Sequence, residues 1–163
     1  MKNYVKAVLY AYPVLLTVEK EYAQHIANMA LLSYRSDAPA QSIAEKIAQQ
    51  IAEKDALLWL KAQLEKAFEG LSETENTLLA VKYFGKKRSA KMQTLSFSES
   101  KYFRMQTRLG NKIQAKLYAL GIDERTFEKY FAKVELFQTI VAYIGKREPK
   151  GITEREKRWL KTA

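Results

Sequence analysis

The chain has 163 residues, no cysteine, one histidine and a formal net charge of +10, and 47% of its residues are hydrophobic. This length and composition predict one domain, or a small domain with an added helical unit, that buries a real core. The absence of cysteine excludes disulfides, thiolate catalysis and cysteine metal sites. No apolar run approaches the roughly 20 residues of a membrane span, and no signal-peptide pattern is present. We therefore expect a cytoplasmic protein that does not enter a membrane.

The spacing of the apolar residues, mostly three and four, predicts an all-α protein, and only six glycines and three prolines interrupt it. The first such pattern covers residues 4–32, and Pro13 should kink it or divide it into two helices. The second pattern begins near Pro39 and ends at Gly70. Because the connection between the two patterns is short, residues 1–69 are predicted to form an antiparallel helical hairpin.

Serine residues mark the beginnings of the next two helices. Ser72 and Glu75 form a capping box, in which each side chain satisfies a free amide at the helix start, and this helix should end at Gly85. Ser96 and Ser98 are both suitable N-caps for a helix that continues to about Leu120. These two helices define a second predicted segment, residues 70–121.

Residues 122–163 are predicted to form closing helices with a basic tail. Asp123 should cap a single helix whose apolar positions continue as far as Ile144. Residues 145–151 are expected to be a linker. Thr153 and Glu156 form a second capping box, which predicts a short C-terminal helix.

The positive charge is concentrated in one part of the chain. Ten of the 28 basic residues lie between Lys82 and Lys116, together with a single acid, Glu99. Residues 1–70, by contrast, carry eight basic and eight acidic side chains and are neutral. Such a local excess is typical of a surface that binds a polyanion, most often nucleic acid.

The helix after Ser98 separates apolar from basic side chains when its residues are placed about 100° apart. One face within about 60° of Tyr102 is apolar. The opposite face is basic and has hydroxyl groups beside it. The apolar positions are Tyr102, Met105, Leu109 and Ile113; the basic ones are Lys101, Arg104, Arg108 and Lys112; and the hydroxyls are Ser100 and Thr107. This arrangement suits the major groove of DNA, although a solvated basic face gives the same pattern.

Residues 71–118 resemble the C-terminal DNA-reading region of bacterial sigma factors. In that family a leucine followed by proline or serine opens the helix, and an apolar run then leads to a basic residue, tyrosine and phenylalanine. The matching residues here are Leu71, Ser72, Glu75, Leu78, Leu79, Lys82, Tyr83 and Phe84. In the second half, Ser98 falls on the serine that opens the family's recognition helix, Lys101 on its usual threonine, and Tyr102 on its buried aliphatic residue. The family's middle-helix pattern is replaced by residues 85–94, and its turn glycine by Ser96.

The resemblance implies a helix-turn-helix unit in a small sigma-like or phage-type transcription regulator. The expected partner is double-stranded DNA, with phosphate contacts from the segment before Ser98 and groove contacts from the helix after it. The candidate DNA-binding residues are Lys86, Lys87, Arg88, Lys91, Ser100, Lys101, Arg104, Thr107, Arg108 and Lys112. The neutral residues 1–69 would then contact either a second copy of the chain or RNA polymerase.

Two other classes of function were weighed against DNA binding. A helical protein–protein adaptor, whose basic face meets an acidic protein, would show the same charge pattern. An enzyme is not expected, because the chain has no cysteine, a single histidine at position 25, no glycine-rich phosphate loop and no convergent set of carboxylates. No cofactor and no metal ion are expected.

Overall fold

The structure, a computed structural model, describes residues 1–35, 37, 39–84 and 97–147. Within these ranges it contains helices and no strand, which confirms the predicted all-α class. The helices are α1 (Asn3–Leu15), α2 (Val18–Ser33), α3 (Ala40–Phe68), α4 (Glu73–Tyr83), α5 (Glu99–Ala119), α6 (Glu124–Tyr130) and α7 (Glu135–Arg147). Residues 85–96 and 148–163 lie outside the described part, and with them the predicted C-terminal helix.

The chain forms two compact units. The first unit contains residues 1–11 and 66–163, and the second contains residues 12–65. The predicted segment 1–69 therefore contributes to both units. Four side chains of α1 that belong to the first unit, Val5, Ala7, Val8 and Leu9, have no exposed surface, so the beginning of the chain is part of that unit's core.

Side chains cap the starts of three helices, as the sequence predicts. The Ser72 hydroxyl accepts from the Glu75 amide at 3.2 Å, while the Glu75 carboxylate accepts from the Ser72 amide at 2.9 Å. Ser98 caps α5 by accepting from the Lys101 amide at 3.4 Å. Asp123 caps α6 by accepting from the Thr126 amide at 2.7 Å, a bond that lowers the pKa of the aspartate.

Two glycines end helices in the left-handed conformation that side chains disfavour. Gly70 follows α3 with φ +76°, and Gly121 follows α5 with φ +86°. After α5, the Gly121 amide donates to Tyr118 O and the Ile122 amide to Leu117 O, which is the Schellman arrangement. Ile122 is fully buried, so this turn fixes the direction in which the chain leaves α5.

In the second unit, α2 lies beside the first part of α3, and the buried residues of α3 lie further along it, at Leu57, Leu60 and Leu64. Pro13 lies within the last turn of α1, and the chain is divided there into α1 and α2, as predicted. The Tyr22 hydroxyl donates to the Glu53 carboxylate at 3.3 Å, which joins α2 to α3. None of the described residues from Glu19 to Ala56 is buried.

The predicted helix from Asp123 to Ile144 is wrong in its continuity, because the chain turns at residues 131–134 between α6 and α7. The Phe127 carbonyl accepts from both the Phe131 and Ala132 amides, which closes α6. No proline or glycine marks this break. The linker predicted from Gly145 is also wrong at its start, because α7 continues through Gly145 to residue 147.

The break between α6 and α7 brings together the aromatic core of the first unit. The Phe127 ring lies 5.2 Å from that of Phe137 and 6.3 Å from that of Phe131. Tyr4 from α1 packs on the same Phe127 ring at 6.2 Å. Phe131 and Phe137 are at most 1% exposed. A straight helix would spread these side chains along one face, so the turn gains ring–ring contacts and apolar burial.

Candidate nucleic-acid interface

A buried glutamine joins α5 to α4. Gln106 is 7% exposed, and its side-chain amide donates to the Leu78 carbonyl at 2.8 Å and to the Tyr102 hydroxyl at 3.1 Å. Because a buried amide without partners is costly, the bond to Leu78 favours one rotation of α5 about its axis relative to α4, and the bond to Tyr102 within α5 uses the second donor of the amide. The orientation of the opposite face of α5 follows from that rotation.

The buried face of α5 agrees with the predicted apolar face. Tyr102, Leu109 and Ile113 are buried, and Met105 is half-buried. Gly110 is buried as well, and a Cβ placed there would lie 2.7 Å from the Met1 sulfur. The helix therefore packs along its whole length, and the rest of its circumference is open to solvent.

Three basic side chains lie on the exposed side of α5. Lys101, Arg104 and Arg108 are exposed, and together with Met105 they line a shallow concavity of about 250 Å³, to which no carboxylate among the described residues contributes. Arg104 and Arg108 make no ion pair or hydrogen bond with the residues that the structure describes. Their guanidinium groups therefore keep their donors for a ligand, which is the state that phosphate or guanine binding needs.

Aromatic rings flank the beginning of this basic surface. The Lys101 ammonium lies 4.6 Å from the centre of the Phe97 ring, a cation–π contact that orients the lysine at the first turn of α5. Phe103 is 40% exposed, and its ring lies edge-on to Tyr102 at 5.4 Å.

The two predicted hydroxyl residues differ in what they offer a ligand. The Thr107 hydroxyl donates to the Phe103 carbonyl of its own helix at 3.0 Å, so only its oxygen lone pairs remain available. Ser100 is exposed in the first turn and has no partner among the described residues. Its hydroxyl can donate or accept.

Lys112 lies on the edge of the basic surface, and its ammonium is already paired. It contacts the two Glu75 carboxylate oxygens at 3.0 and 3.1 Å. The pKa of Glu75 is lowered, first by the bond from the Ser72 amide and then by Lys112. Lys116, one turn further along, donates to the Glu69 carbonyl at 2.7 Å. Lys112 therefore joins α5 to the start of α4, and Lys116 joins α5 to the turn that follows α3.

The surface beside α5 is basic near the start of the helix and carries acidic side chains as well toward its C-terminal end. There Asn111 and Tyr118 border an open groove of about 850 Å³. Its charged lining residues are three acids and two bases: Asp123, Glu124, Glu128, Lys2 and Arg125. Lys2 pairs with Glu124 at 2.7 Å, an interaction that raises the pKa of the lysine. Carboxylates at this end disfavour a phosphate backbone, so the surface suited to a polyanion is the first half of α5.

Asn111 belongs to the exposed face but was not predicted as a site residue. It is exposed and lies about 20° around the helix from Arg104. The prediction selected the cations of this face and the hydroxyls of Ser100 and Thr107, and it did not include the neutral amide of Asn111. Its position on the helical wheel was the signal that could have found it.

Four predicted contacts, Lys86, Lys87, Arg88 and Lys91, lie outside the described residues. Elsewhere, His25 is exposed, and no group of three potential metal ligands occurs in the parts of the chain that the structure describes. Within those same parts, no helix is long and apolar enough to cross a membrane. No protein-family model, no curated protein and no solved structure matches this chain.

Proposed function

We propose that the chain binds double-stranded DNA with the exposed face of α5. The observation that carries the proposal is the combination of two features of one helix. Gln106 and its apolar neighbours bury one face of α5, while Lys101, Arg104 and Arg108 form an exposed concave surface to which none of the described carboxylates contributes. A helix that is packed on one side and basic on the other fits the width of the major groove.

Within this proposal the basic residues have different roles. Arg104 and Arg108 contact base edges or phosphates from the centre of the helix, and Ser100 and Thr107 add hydrogen bonds beside them. Lys86, Lys87, Arg88 and Lys91 contribute phosphate contacts that set the register. Lys112 joins the interface when its bond to Glu75 is exchanged for one to a phosphate.

The finer part of the proposal is a role in transcription, as a sigma-like helix-turn-helix regulator of the kind found in phages. It is supported by the resemblance of residues 71–118 to the sigma family. It is also supported by the contact of the two matching helices, α4 and α5, through Gln106 and Leu78. Residues 12–65, which carry five basic and seven acidic side chains, are assigned to a protein partner, either a second copy of the chain or RNA polymerase.

A titration distinguishes DNA binding from the alternative function, an adaptor in which an acidic protein binds α5. A fluorescent duplex is titrated with the protein at about 50 and 200 mM salt, with polyglutamate of equal charge as competitor. If about six cations contact phosphates, the affinity should fall roughly a thousandfold between these salt concentrations. Polyglutamate should compete weakly. Equal competition by polyglutamate, or no duplex binding at low salt, would contradict the proposal.

A further inference from the structure

The neutral side chain of Asn111 lies among the cations of α5 and is not used by the fold. Helix α5 contains three side-chain amides. Gln106 is buried and donates to Leu78 and Tyr102, and Gln114 accepts from the Lys2 backbone amide at 3.1 Å. Asn111 is exposed and has no hydrogen-bond partner among the described residues. It is therefore the amide of α5 whose donor and acceptor both remain available to a ligand.

The position of Asn111 places it in line with the basic surface. At about 100° per residue, Ser100, Arg104, Thr107 and Asn111 lie within about 60° of one another. This arc is directed away from the buried face of Tyr102 and Ile113. A duplex that lies against Arg104 would therefore meet Asn111 as well.

Chemistry distinguishes Asn111 from the other polar residues of this arc. A carboxamide presents one donor and one acceptor side by side, which matches the N6 amino group and N7 of adenine in the major groove. The Ser100 hydroxyl can bond to any base, and the Thr107 hydroxyl proton is already donated to Phe103. Arginine prefers guanine. The amide thus supplies a specificity that the cations do not.

We infer that Asn111 reads an adenine in the major groove and sets the sequence preference at one position of the DNA site. The inference rests on the proposed DNA binding by α5. With a rise of 1.5 Å per residue, Asn111 is about 10.5 Å along the helix from Arg104. The adenine should therefore lie at most about three base pairs from the position that Arg104 specifies.

The carboxylates beyond Asn111 define the end of the DNA site. Asp123, Glu124 and Glu128 line the groove that Asn111 borders together with Lys2 and Arg125, and the small excess of negative charge disfavours phosphates on that side. Asn111 is therefore the last residue of α5 to contact a base. The adenine should lie at the edge of the preferred sequence rather than at its centre.

The test is a selection from a randomised duplex library with the full chain and three variants, Asn111→Ala, Arg104→Ala and Gln138→Ala. Gln138 is an exposed residue of α7, and its replacement removes a side-chain amide away from α5. The unchanged chain and Gln138→Ala should enrich the same sequence. Asn111→Ala should lose the preference at one adenine only, with roughly tenfold weaker binding to the preferred site. Arg104→Ala should lose it at a guanine within about three base pairs.

A second measurement uses the enriched duplex with that adenine replaced by 7-deazaadenine, which lacks the N7 acceptor. The unchanged chain should bind this duplex more weakly than the normal one, because the bond to N7 is lost while the bond from the N6 amino group remains, and Asn111→Ala should bind the two duplexes equally. If Asn111→Ala keeps the full preference while the unchanged chain binds DNA, the inference fails and the proposed function stands. If the unchanged chain binds no duplex, both fail.

Discussion

Glu75 and Lys112 form an ion pair at 3.0 Å, and the same carboxylate completes the capping box of α4 by accepting from the Ser72 amide. The Glu75 side chain is 23% exposed and that of Lys112 is 42% exposed. One acid therefore both stabilises the start of α4 and holds a cation at the edge of the proposed DNA surface. This double role leads to separate predictions for stability and for binding.

For stability, Glu75→Ala should lower the free energy of unfolding by about 1–2 kcal/mol, because both the cap and the ion pair are lost. Glu75→Gln should lower it by less than about 1 kcal/mol, because glutamine can still accept from the Ser72 amide. Urea unfolding of both variants at neutral pH measures the difference. Equal losses for the two variants would show that the cap contributes nothing.

The pH dependence of stability should report the same carboxylate. Its pKa is lowered in the folded chain, so its contribution is present above the unfolded-state value of about 4.3 and is lost as pH falls through the folded value. The advantage of the unchanged chain over Glu75→Gln should be constant above about pH 5 and should shrink below about pH 4. Urea unfolding between pH 3 and 7 tests this, and a gap that widens in acid contradicts it.

For binding, Glu75→Gln should increase the affinity for duplex DNA at low salt. The substitution removes a negative charge and frees the Lys112 ammonium for a phosphate. The slope of log affinity against log salt should therefore become more negative by up to about one. Glu73→Gln is the matched control, because Glu73 lies in the same first turn of α4 and its carboxylate does not pair with Lys112. Equal effects of the two substitutions would mean that only net charge matters.

The buried Gln106 should contribute to stability through its two hydrogen bonds. Gln106→Leu leaves the Tyr102 hydroxyl without this partner, and we expect a loss of about 1–2 kcal/mol in the free energy of unfolding. Gln138→Leu, on an exposed surface, should change it by less than about 0.5 kcal/mol. Urea unfolding of both variants checks the difference. A neutral Gln106→Leu would show that apolar packing alone orients α5.

In the first unit, substitutions in the aromatic core at the turn between α6 and α7 should lower the free energy of unfolding most. Phe137→Ala removes a fully buried ring that contacts Phe127 and Phe131, and it should lower the free energy of unfolding by about 3–5 kcal/mol. Tyr130→Ala, at a position that is 55% exposed, should lower it by less than about 1 kcal/mol. Thermal unfolding of both variants measures this, and similar losses would contradict the described packing.

Local sequence signals predicted most helix boundaries. Each helix boundary of this kind depends on residues only a few positions apart, so both partners of the interaction can be read from a short stretch of sequence. The residues concerned are Ser72, Ser98, Asp123 and Gly70. The break at residues 131–134 has no such signal. It results from the packing of three phenylalanine rings, which is decided by the tertiary fold.

The sequence predicted which residues of α5 are charged and exposed and which are buried, but it did not predict the contacts between α5 and α4. The helical wheel separated Arg104 from Tyr102 correctly, because both lie on one regular helix. The bond from Gln106 to Leu78 and the pair between Lys112 and Glu75 join residues 28 and 37 positions apart. Such contacts depend on how α4 and α5 pack, which periodicity alone does not determine.

The central claim is that the exposed cations of α5 contact DNA, and the salt dependence of two double variants tests it most directly. Arg104→Ala/Arg108→Ala removes two charges from α5, and Lys20→Ala/Lys46→Ala removes two exposed charges from the second unit. For the unchanged chain, the slope of log affinity against log salt should be on the order of −5. The α5 variant should reduce its magnitude by about two, and the control should leave it unchanged. Equal slopes for the two variants, or a flat response of the unchanged chain, would contradict the account.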